Sequence, residues 1–226
     1  MIELTAAALF FVGIHLAVSG TRLRDLFVAR LGERLYQVLF SLASLAGLVW
    51  MARAYRPAGH VELWGQLHFL APAMLVLVAI AVLLVVVGLA TPGPTTVGAE
   101  SLLRREDPAR GIHRITRHPF LWGVALWAFG HLGVNGDLAS LILFGSLLVL
   151  ALAGTLSIDA KRKRAFGDEW DRYAAATSNV PFAAVASGRN RLRVAEIGWW
   201  RIAIAAAVYA AILYFHRSLF GVSPLV

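Results

Sequence analysis

Long apolar stretches dominate the chain and limit what it can fold into. A helix that crosses the roughly 30 Å hydrocarbon core of a bilayer needs about 20 mainly apolar residues. Six stretches approach that length: about 2–20, 35–54, 68–90, 119–135, 137–157 and 198–219. Hydrophobic residues make up 59% of the 226 residues and charged residues only 15%, against about 25% charged in an average soluble domain. The sequence therefore predicts a polytopic membrane protein.

The region 119–157 is too long for one transmembrane helix. It contains the sequence VNGD at 134–137, in which the Asn-Gly pair is a tight-turn signal. Pro119 suits the first turn of a helix, where its missing N–H leaves no hydrogen bond unmade. We therefore interpret 119–157 as a helical hairpin. The prediction is an all-α bundle of about six transmembrane helices that forms a single membrane domain over 1–226.

The basic residues predict an orientation. Seventeen of the 21 Lys and Arg residues lie in the loops after the first, third and fifth spans. Loops rich in Lys and Arg stay on the cytoplasmic side of a membrane. We therefore expect a multi-pass protein of a bacterial inner membrane with both termini in the periplasm. The first span lacks the basic start and cleavage site of a signal peptide, so we expect it to be retained. The net charge of +8 is explained by these loops and does not indicate nucleic-acid binding.

The last inner loop contains a predicted amphipathic interfacial helix at 159–175. Its basic residues cluster at one end, and Phe166, Trp170 and Tyr173 are spaced three or four apart, which places them on one face. Two interpretations remain open. The helix either anchors the loop at the membrane surface, or packs its aromatic face beneath the Arg117-His118-Pro119 turn and closes the inner end of the bundle.

Two histidines lie inside predicted spans, where ionisable side chains are costly and usually face the bundle interior. These are His15 in the first span and His131 in the fourth. The simplest interpretation is a neutral imidazole hydrogen-bonded between helices. Two imidazoles on separate spans also match the axial ligands of a haem iron. Helix geometry offsets the two by about 10 Å in depth, and places His118 about 20 Å from His131, at the inner surface. The chain has no cysteine, which excludes thiolate ligands and cysteine nucleophiles.

Four motifs carry a resemblance to a known family. They are GIHRITRHPFLWG at 111–123, WAFGHLGVNGD at 127–137, FGDEWDRY at 166–173 and TSNVPFAAVASGR at 177–189. In combination they resemble the NnrU-type bacterial membrane proteins and their relatives, the 15-cis-zeta-carotene isomerases. The resemblance extends from the first span to about residue 193.

The resemblance implies a cofactor and an activity. The isomerases are haem b proteins in which the redox state of the iron controls cis–trans isomerisation of a polyene, and their proposed axial histidines match His15 and His131. The NnrU-type proteins are linked to nitric oxide and nitrite respiration. The chain departs from the isomerases at Ala128, where they carry a cysteine proposed as an alternative iron ligand.

The first functional hypothesis is therefore a membrane haem b protein with an isomerase-like or redox role, in contact with the lipid bilayer and with a hydrophobic small molecule as substrate. His15 and His131 would ligate the iron, with Ser19 one turn after His15 as a hydrogen-bonding neighbour. Arg114 or Arg117 would pair with a propionate at the inner surface, beside His118.

A second hypothesis is an S-adenosylmethionine-dependent membrane methyltransferase. The patterns RHP-x-x-x-G and FG-x-E-W-x-x-Y are similar to enzymes of that class, although Asp159 stands where they usually have a glutamate. The resemblance implies a cofactor site made by Arg117, His118, Pro119, Gly123, Glu169 and Tyr173.

A third hypothesis is an accessory or scaffold protein of a respiratory complex without chemistry of its own. The sequence does not indicate an oligomeric state.

Overall fold

A computed structural model describes residues 1–224 as an all-α structure, and no strand is formed within that part of the chain. The α-helices in chain order are α1 (Ile2–Gly13), α2 (Leu23–Leu31), α3 (Glu33–Tyr55), α4 (Ala71–Leu89), α5 (Pro119–Val134), α6 (Leu138–Ala176), α7 (Ala183–Ala186), α8 (Val194–Ile197) and α9 (Trp199–Phe220). Short 3-10 turns at 100–104 and 111–114 shape the long loop before α5.

The prediction of an all-α membrane bundle is confirmed. Five helical stretches within the described residues are long and apolar enough to cross a bilayer: Ile2–Ser19, Glu33–Ala58, His68–Leu89, Leu138–Ala176 and Trp199–Phe220. The sixth apolar helix, α5, has 16 residues. At 1.5 Å per residue it is about 24 Å long, a little less than the hydrocarbon core.

The predicted hairpin between α5 and α6 is present, and the geometry of its turn explains why residue 136 is a glycine. The carbonyl of Gly136 accepts hydrogen bonds from the backbone N–H groups of Leu63 and Trp64 at 2.8 and 3.1 Å. A methyl group at Gly136 would collide with the backbone of Gly65, so only glycine fits here. Asp137 then caps α6, because its carboxylate accepts from the Ser140 N–H at 3.0 Å.

The bundle is arranged around α6. Helix α5 packs between α4 and α6, α1 packs against α3 and α6, and α9 packs mainly on α4. A central cluster of buried side chains joins α1, α3, α5 and α6 and includes Phe11, Met51, Ala128 and Phe144. Because α6 packs against both α1 and α5, it lies between these two helices.

Both chain ends lie on one side of the bundle. The Met1 amino group donates to the Ala58 carbonyl at 3.1 Å, and a methyl group at Gly221 would meet the Arg56 guanidinium at 2.9 Å. We call this side the terminal face. The opposite side, which carries the loops at 20–34, 90–118 and 177–198, is called the basic face. An even number of spans places the two termini together in this way.

The structure differs from the sequence prediction in the last inner loop. The fifth span and the predicted interfacial helix at 159–175 form one helix, α6, which is interrupted only at Gly167 (φ 46°, ψ −119°). Trp170 and Tyr173 are buried against Leu103 and Ala109 of the preceding inner loop. The aromatic face therefore packs on protein beneath the Arg117-His118-Pro119 turn, as in the second of the two interpretations.

The first loop of the basic face holds a helix that the sequence did not predict. Helix α1 ends in a wide π-type turn at Ile14–Ser19, and α2 follows it. Gly32, with φ 79°, separates α2 from α3. None of the α2 side chains is buried in the protein, so packing inside the chain does not explain this helix.

Candidate functional site

His15 lies in the wide turn that follows α1. Its Nδ1 is 2.7 Å from the carbonyl oxygen of Phe11. A carbonyl can only accept, so Nδ1 carries the hydrogen and the Nε2 atom of the neutral ring holds a lone pair. The ring centroid is 4.5 Å from that of Phe11 and 5.1 Å from that of Phe40 in α3. The imidazole is therefore fixed in one tautomer among aromatic side chains.

His131 repeats this arrangement in α5. Its Nδ1 is 2.8 Å from the carbonyl oxygen of Trp127, again one turn earlier, and leaves Nε2 with a lone pair. The ring stacks on Phe144 of α6 at 4.7 Å and tilts against Trp127 at 4.8 Å. No hydrogen bond from the described residues reaches the Nε2 atom of either histidine.

The two imidazoles share an aromatic cluster without touching each other. His15 contacts Phe11 and His131 contacts Phe144, and these two phenylalanines belong to the same buried cluster. Ala128 is fully buried in that cluster.

A third histidine lies near His131. His216, in the last turn of α9, is close enough to His131 to interact with it electrostatically, and its Nδ1 is 2.8 Å from the Val222 carbonyl.

The second polar site lies at the basic face, where Arg117 and His118 converge on Asp159 of α6. The Arg117 guanidinium donates to the Asp159 carboxylate through Nε at 2.9 Å and Nη2 at 2.7 Å. The His118 Nε2 is 2.6 Å from the other carboxylate oxygen. Arg117 also lies over the ring of Trp170, 5.8 Å from its centroid. One carboxylate thus joins the start of α5 to α6.

The segment 177–179 holds this turn in place. The Arg117 N–H donates to the Ser178 carbonyl at 3.0 Å, and the Thr116 hydroxyl donates to the Asn179 carbonyl at 2.5 Å. The Asn179 side chain accepts from Trp122 at 3.1 Å and donates to Thr155 at 2.9 Å. These bonds satisfy polar groups that the apolar helix ends would otherwise leave unpaired.

Burial controls the protonation of His118. The side chain is 1% exposed, and removal from water lowers the pKa of its imidazole, although the Asp159 carboxylate opposes that shift. At neutral pH the ring is therefore neutral, with Nε2–H donating to Asp159. His118 acts as a hydrogen-bond donor at the beginning of α5.

Arg114 belongs to a separate buried ion group. Its guanidinium, 5% exposed, donates to Glu196 at 2.8 Å, to Asn190 at 2.9 Å and to Asp107 at 2.6 Å. The hydrogen bond from Arg114 holds the pKa of Glu196 down at about 2. This group ties α8 to the loop before α5. Arg114, Arg117 and His118 all have protein partners, and their predicted roles as cofactor contacts stay predictions.

The residues of the methyltransferase hypothesis do not surround an open space. Arg117 and His118 are bound to Asp159, and Tyr173 is fully buried. Glu169 lies 3.5 Å from the exposed Arg104. The structure brings Arg117, His118 and Tyr173 to the same region but turns them towards the protein.

Sequence reasoning missed the partners of the Arg117-His118-Pro119 turn. Asp159 was noted only as a departure from the methyltransferase pattern, and Asn179, Thr155 and Trp122 were not singled out. Asp159 could have been recognised as a partner for a basic residue, because it is an acidic residue just after an apolar span and beside a basic loop. Asn179 lies in the TSN sequence of the fourth motif, which had suggested a resemblance without a role.

Comparisons with known proteins agree with the motifs. The family model described as NnrU protein matches residues 3–224. The chain is 34% identical to the 15-cis-zeta-carotene isomerase of Arabidopsis thaliana over 83 residues, which are 36% of this chain and 22% of the isomerase. It is 32% identical to the corresponding isomerase of Zea mays over 82 residues, again 36% and 22% of the two chains. No solved structure matches significantly.

The similarity to the plant isomerases is partial, since the chain spans only 22% of the length of these curated relatives. The family match, by contrast, includes all the spans and both polar sites described above. The chain belongs to the NnrU family.

Proposed function

We propose that this protein is an integral membrane haem b protein that catalyses an isomerase-like reaction on a hydrophobic, polyene-type substrate. The observation that carries the proposal is the matched pair His15 and His131. Each is in the membrane, and each donates from Nδ1 to the carbonyl one turn earlier, which leaves Nε2 without a partner among the described residues. A metal-binding imidazole usually has its other ring nitrogen fixed by such a hydrogen bond.

The donor chemistry fits haem, since neutral imidazole nitrogen is a common axial ligand of its iron. A bound haem supplies a one-electron redox centre. The chain's own residues hold each imidazole in the ligand tautomer and exclude water from it, through Phe11 and Phe40 around His15 and through Trp127 and Phe144 around His131. The aromatic surroundings also suit an apolar conjugated substrate.

The names of the matched relatives support the reaction class. Both curated relatives are 15-cis-zeta-carotene isomerases, and we extend isomerase-like activity from them to this chain. We place the basic face in the cytoplasm and both termini in the periplasm of a bacterial inner membrane, because 12 of the 21 Lys and Arg residues lie in the three loops of that face and five more lie in the part of α6 beyond Asp159.

The first experiment is an absorption spectrum of the detergent-purified protein, oxidised and then reduced with dithionite, with a pyridine haemochrome assay. We expect haem near one per chain and sharp reduced bands. His15→Ala and His131→Ala should each abolish or shift them. His60→Ala, at an exposed position in the loop of the terminal face, is the matched control and should leave the spectrum unchanged.

Two results would overturn the assignment of ligands. A colourless preparation after expression with added haem precursor rejects haem binding altogether. An unchanged spectrum in both His15→Ala and His131→Ala rejects this pair. If only His131→Ala and His216→Ala change the spectrum, the second ligand is His216, which lies near His131.

Activity is tested by incubating the reduced protein with a cis-polyene and separating the isomers by chromatography. We expect conversion by the reduced wild-type protein and none by His131→Ala. A shifted spectrum on addition of nitric oxide without any isomerisation would instead support a role in nitrogen-oxide metabolism.

The methyltransferase hypothesis has a direct test, which is calorimetric titration with S-adenosylmethionine. Heat of binding that disappears in Arg117→Gln would favour it. A haem-free protein that binds no S-adenosylmethionine and co-purifies with a respiratory complex would favour the accessory role.

A further inference from the structure

Helix α2 and the beginning of α3 form a positively charged, apolar surface at the basic face. We propose that this surface is a binding site for an anionic glycerophospholipid, with the headgroup phosphate at Arg34 and an acyl chain in the groove along α3. This site is separate from the two histidines and does not depend on the proposed function.

The charges of this region are only partly compensated within the protein. Arg24 binds Glu33 at 2.6 Å and lies over the Tyr36 ring, 5.6 Å from its centroid. Three further arginines are exposed, namely Arg22, Arg30 and Arg34. Their guanidinium groups form no ion pair or hydrogen bond with other described residues. Three cations within 13 residues of sequence therefore lack an anion in the chain.

A groove begins at one of these arginines and continues into the apolar part of α3. The groove is shallow and open, and it is lined by one face of α3: Arg34, Gln37, Val38, Ser41 and Leu42. Arg34 and Gln37 form its polar end. Leu42 lies two turns further, about 12 Å deeper in the bilayer. A charged group at one end and an apolar chain at the other match a phospholipid.

Helix α2 fixes the depth of this site. Its large apolar side chains Leu23, Leu26, Phe27 and Leu31 are 40–60% exposed, between two membrane-spanning helices. A short helix with apolar side chains and arginines lies in the interface between headgroups and acyl chains. Arg34 then lies at the level of the lipid phosphates, where long basic side chains extend towards them.

The apolar end of the groove distinguishes a lipid from a free anion. Inorganic phosphate would satisfy Arg34 but leave Val38 and Leu42 uncovered, and only an attached acyl chain covers both parts. The positive charge further favours an anionic headgroup over a zwitterionic one, because each basic residue near an anionic lipid surface strengthens binding by about fivefold.

The test is native mass spectrometry of the detergent-purified protein with dioleoylphosphatidylglycerol or with dioleoylphosphatidylcholine, which has the same acyl chains. We expect the wild-type protein to retain the anionic lipid at least about fivefold better. Arg34→Gln should remove most of that preference. Arg53→Gln is the matched control, because Arg53 is an exposed arginine near the opposite end of the same helix.

Two further measurements complete the test. Leu42→Trp fills the apolar end of the groove at a 59% exposed position and should weaken both lipids. Inorganic phosphate should not displace the bound anionic lipid. Equal retention of both lipids by the wild-type protein, an unchanged preference in Arg34→Gln, or complete displacement by phosphate would each overturn the proposal.

Discussion

His118 and Asp159 are 41 residues apart in sequence and are joined by a hydrogen bond of 2.6 Å at the basic face. The same carboxylate receives two hydrogen bonds from Arg117. The start of α5 is therefore tied to α6 at the end opposite their connecting turn, so that the hairpin is closed at both ends.

Replacing Asp159 should cost much of the protein's stability. Asp159→Asn leaves the Arg117 side chain, which is only 13% exposed, without a counter-ion. Breaking a buried pair in this way typically costs about 3–5 kcal/mol. We expect a large drop in the unfolding temperature, which is measured by tryptophan fluorescence in detergent. Glu169→Gln, which breaks an exposed pair with Arg104, should change the free energy of unfolding by less than about 1 kcal/mol.

Mild acid should destabilise the basic face through His118 and His113. Burial lowers the pKa of both imidazoles in the folded protein. His118 faces Asp159 and Arg117. His113 faces the Thr91 carbonyl and His118. The unfolded chain takes up protons near pH 6.5, where the folded protein does not, so the free energy of unfolding falls as the pH falls below about 6.5.

The check is the unfolding temperature measured between about pH 8 and 5. His118→Gln should have a shallower decline than the wild-type protein over this range. A decline of unchanged slope would show that folding does not lower the pKa of His118.

Glu196 should contribute to a second loss of stability at lower pH. Its pKa is about 2, against about 4.5 in the unfolded chain, because Arg114 donates to it. The stabilisation is complete above pH 4.5 and is lost as the pH falls towards 2. Glu196→Gln should cost about 1.5–3 kcal/mol at neutral pH and reduce the loss of stability in this transition. Asp25→Asn, at an exposed acidic residue 3.6 Å from Arg24, is the control and should preserve the transition.

The contact between α4 and α5 depends on Gly123. A methyl group there would meet a Val85 methyl group at 2.6 Å and the Ala81 carbonyl oxygen at 2.7 Å. Gly123→Ala should therefore push the two helices apart and cost about 1–3 kcal/mol. Gly145→Ala in α6, where the nearest atom is 3.5 Å away, should be neutral or slightly stabilising. Equal unfolding temperatures for the two variants would contradict this account.

The sequence predicted the spans, the turn and the resemblance well, because these depend on local patterns. Asn135 and Gly136 were sufficient to indicate the hairpin, and hydrophobic length was sufficient for the other helices. The partner of Arg117 and His118 could not be identified in the same way, since the pairing with Asp159 joins distant segments. The sequence also did not indicate that the fifth span and the predicted interfacial helix are continuous from Asp159 to Gly167.

The mutual position of His15 and His131 was likewise beyond sequence reasoning. Depth along each helix gave an offset of about 10 Å, but the shared contact with Phe11 and Phe144 depends on how α6 packs between α1 and α5. Helix α2 was missed because its apolar residues are mixed with two arginines and one aspartate over only nine residues.

The π-type turn at Ile14–Ser19 means that α1 contains one residue more than a regular helix over the same rise. The wider turn accommodates this residue locally, and Ser19 at its end accepts a hydrogen bond from Lys161 at 3.4 Å. A single-residue deletion at Ala17 should therefore convert the turn to a regular helix and leave the segments on either side in the same register. An alignment gap here would mark relatives with a regular helix at this point, and not relatives in which the helix that carries His15 is rotated against α6.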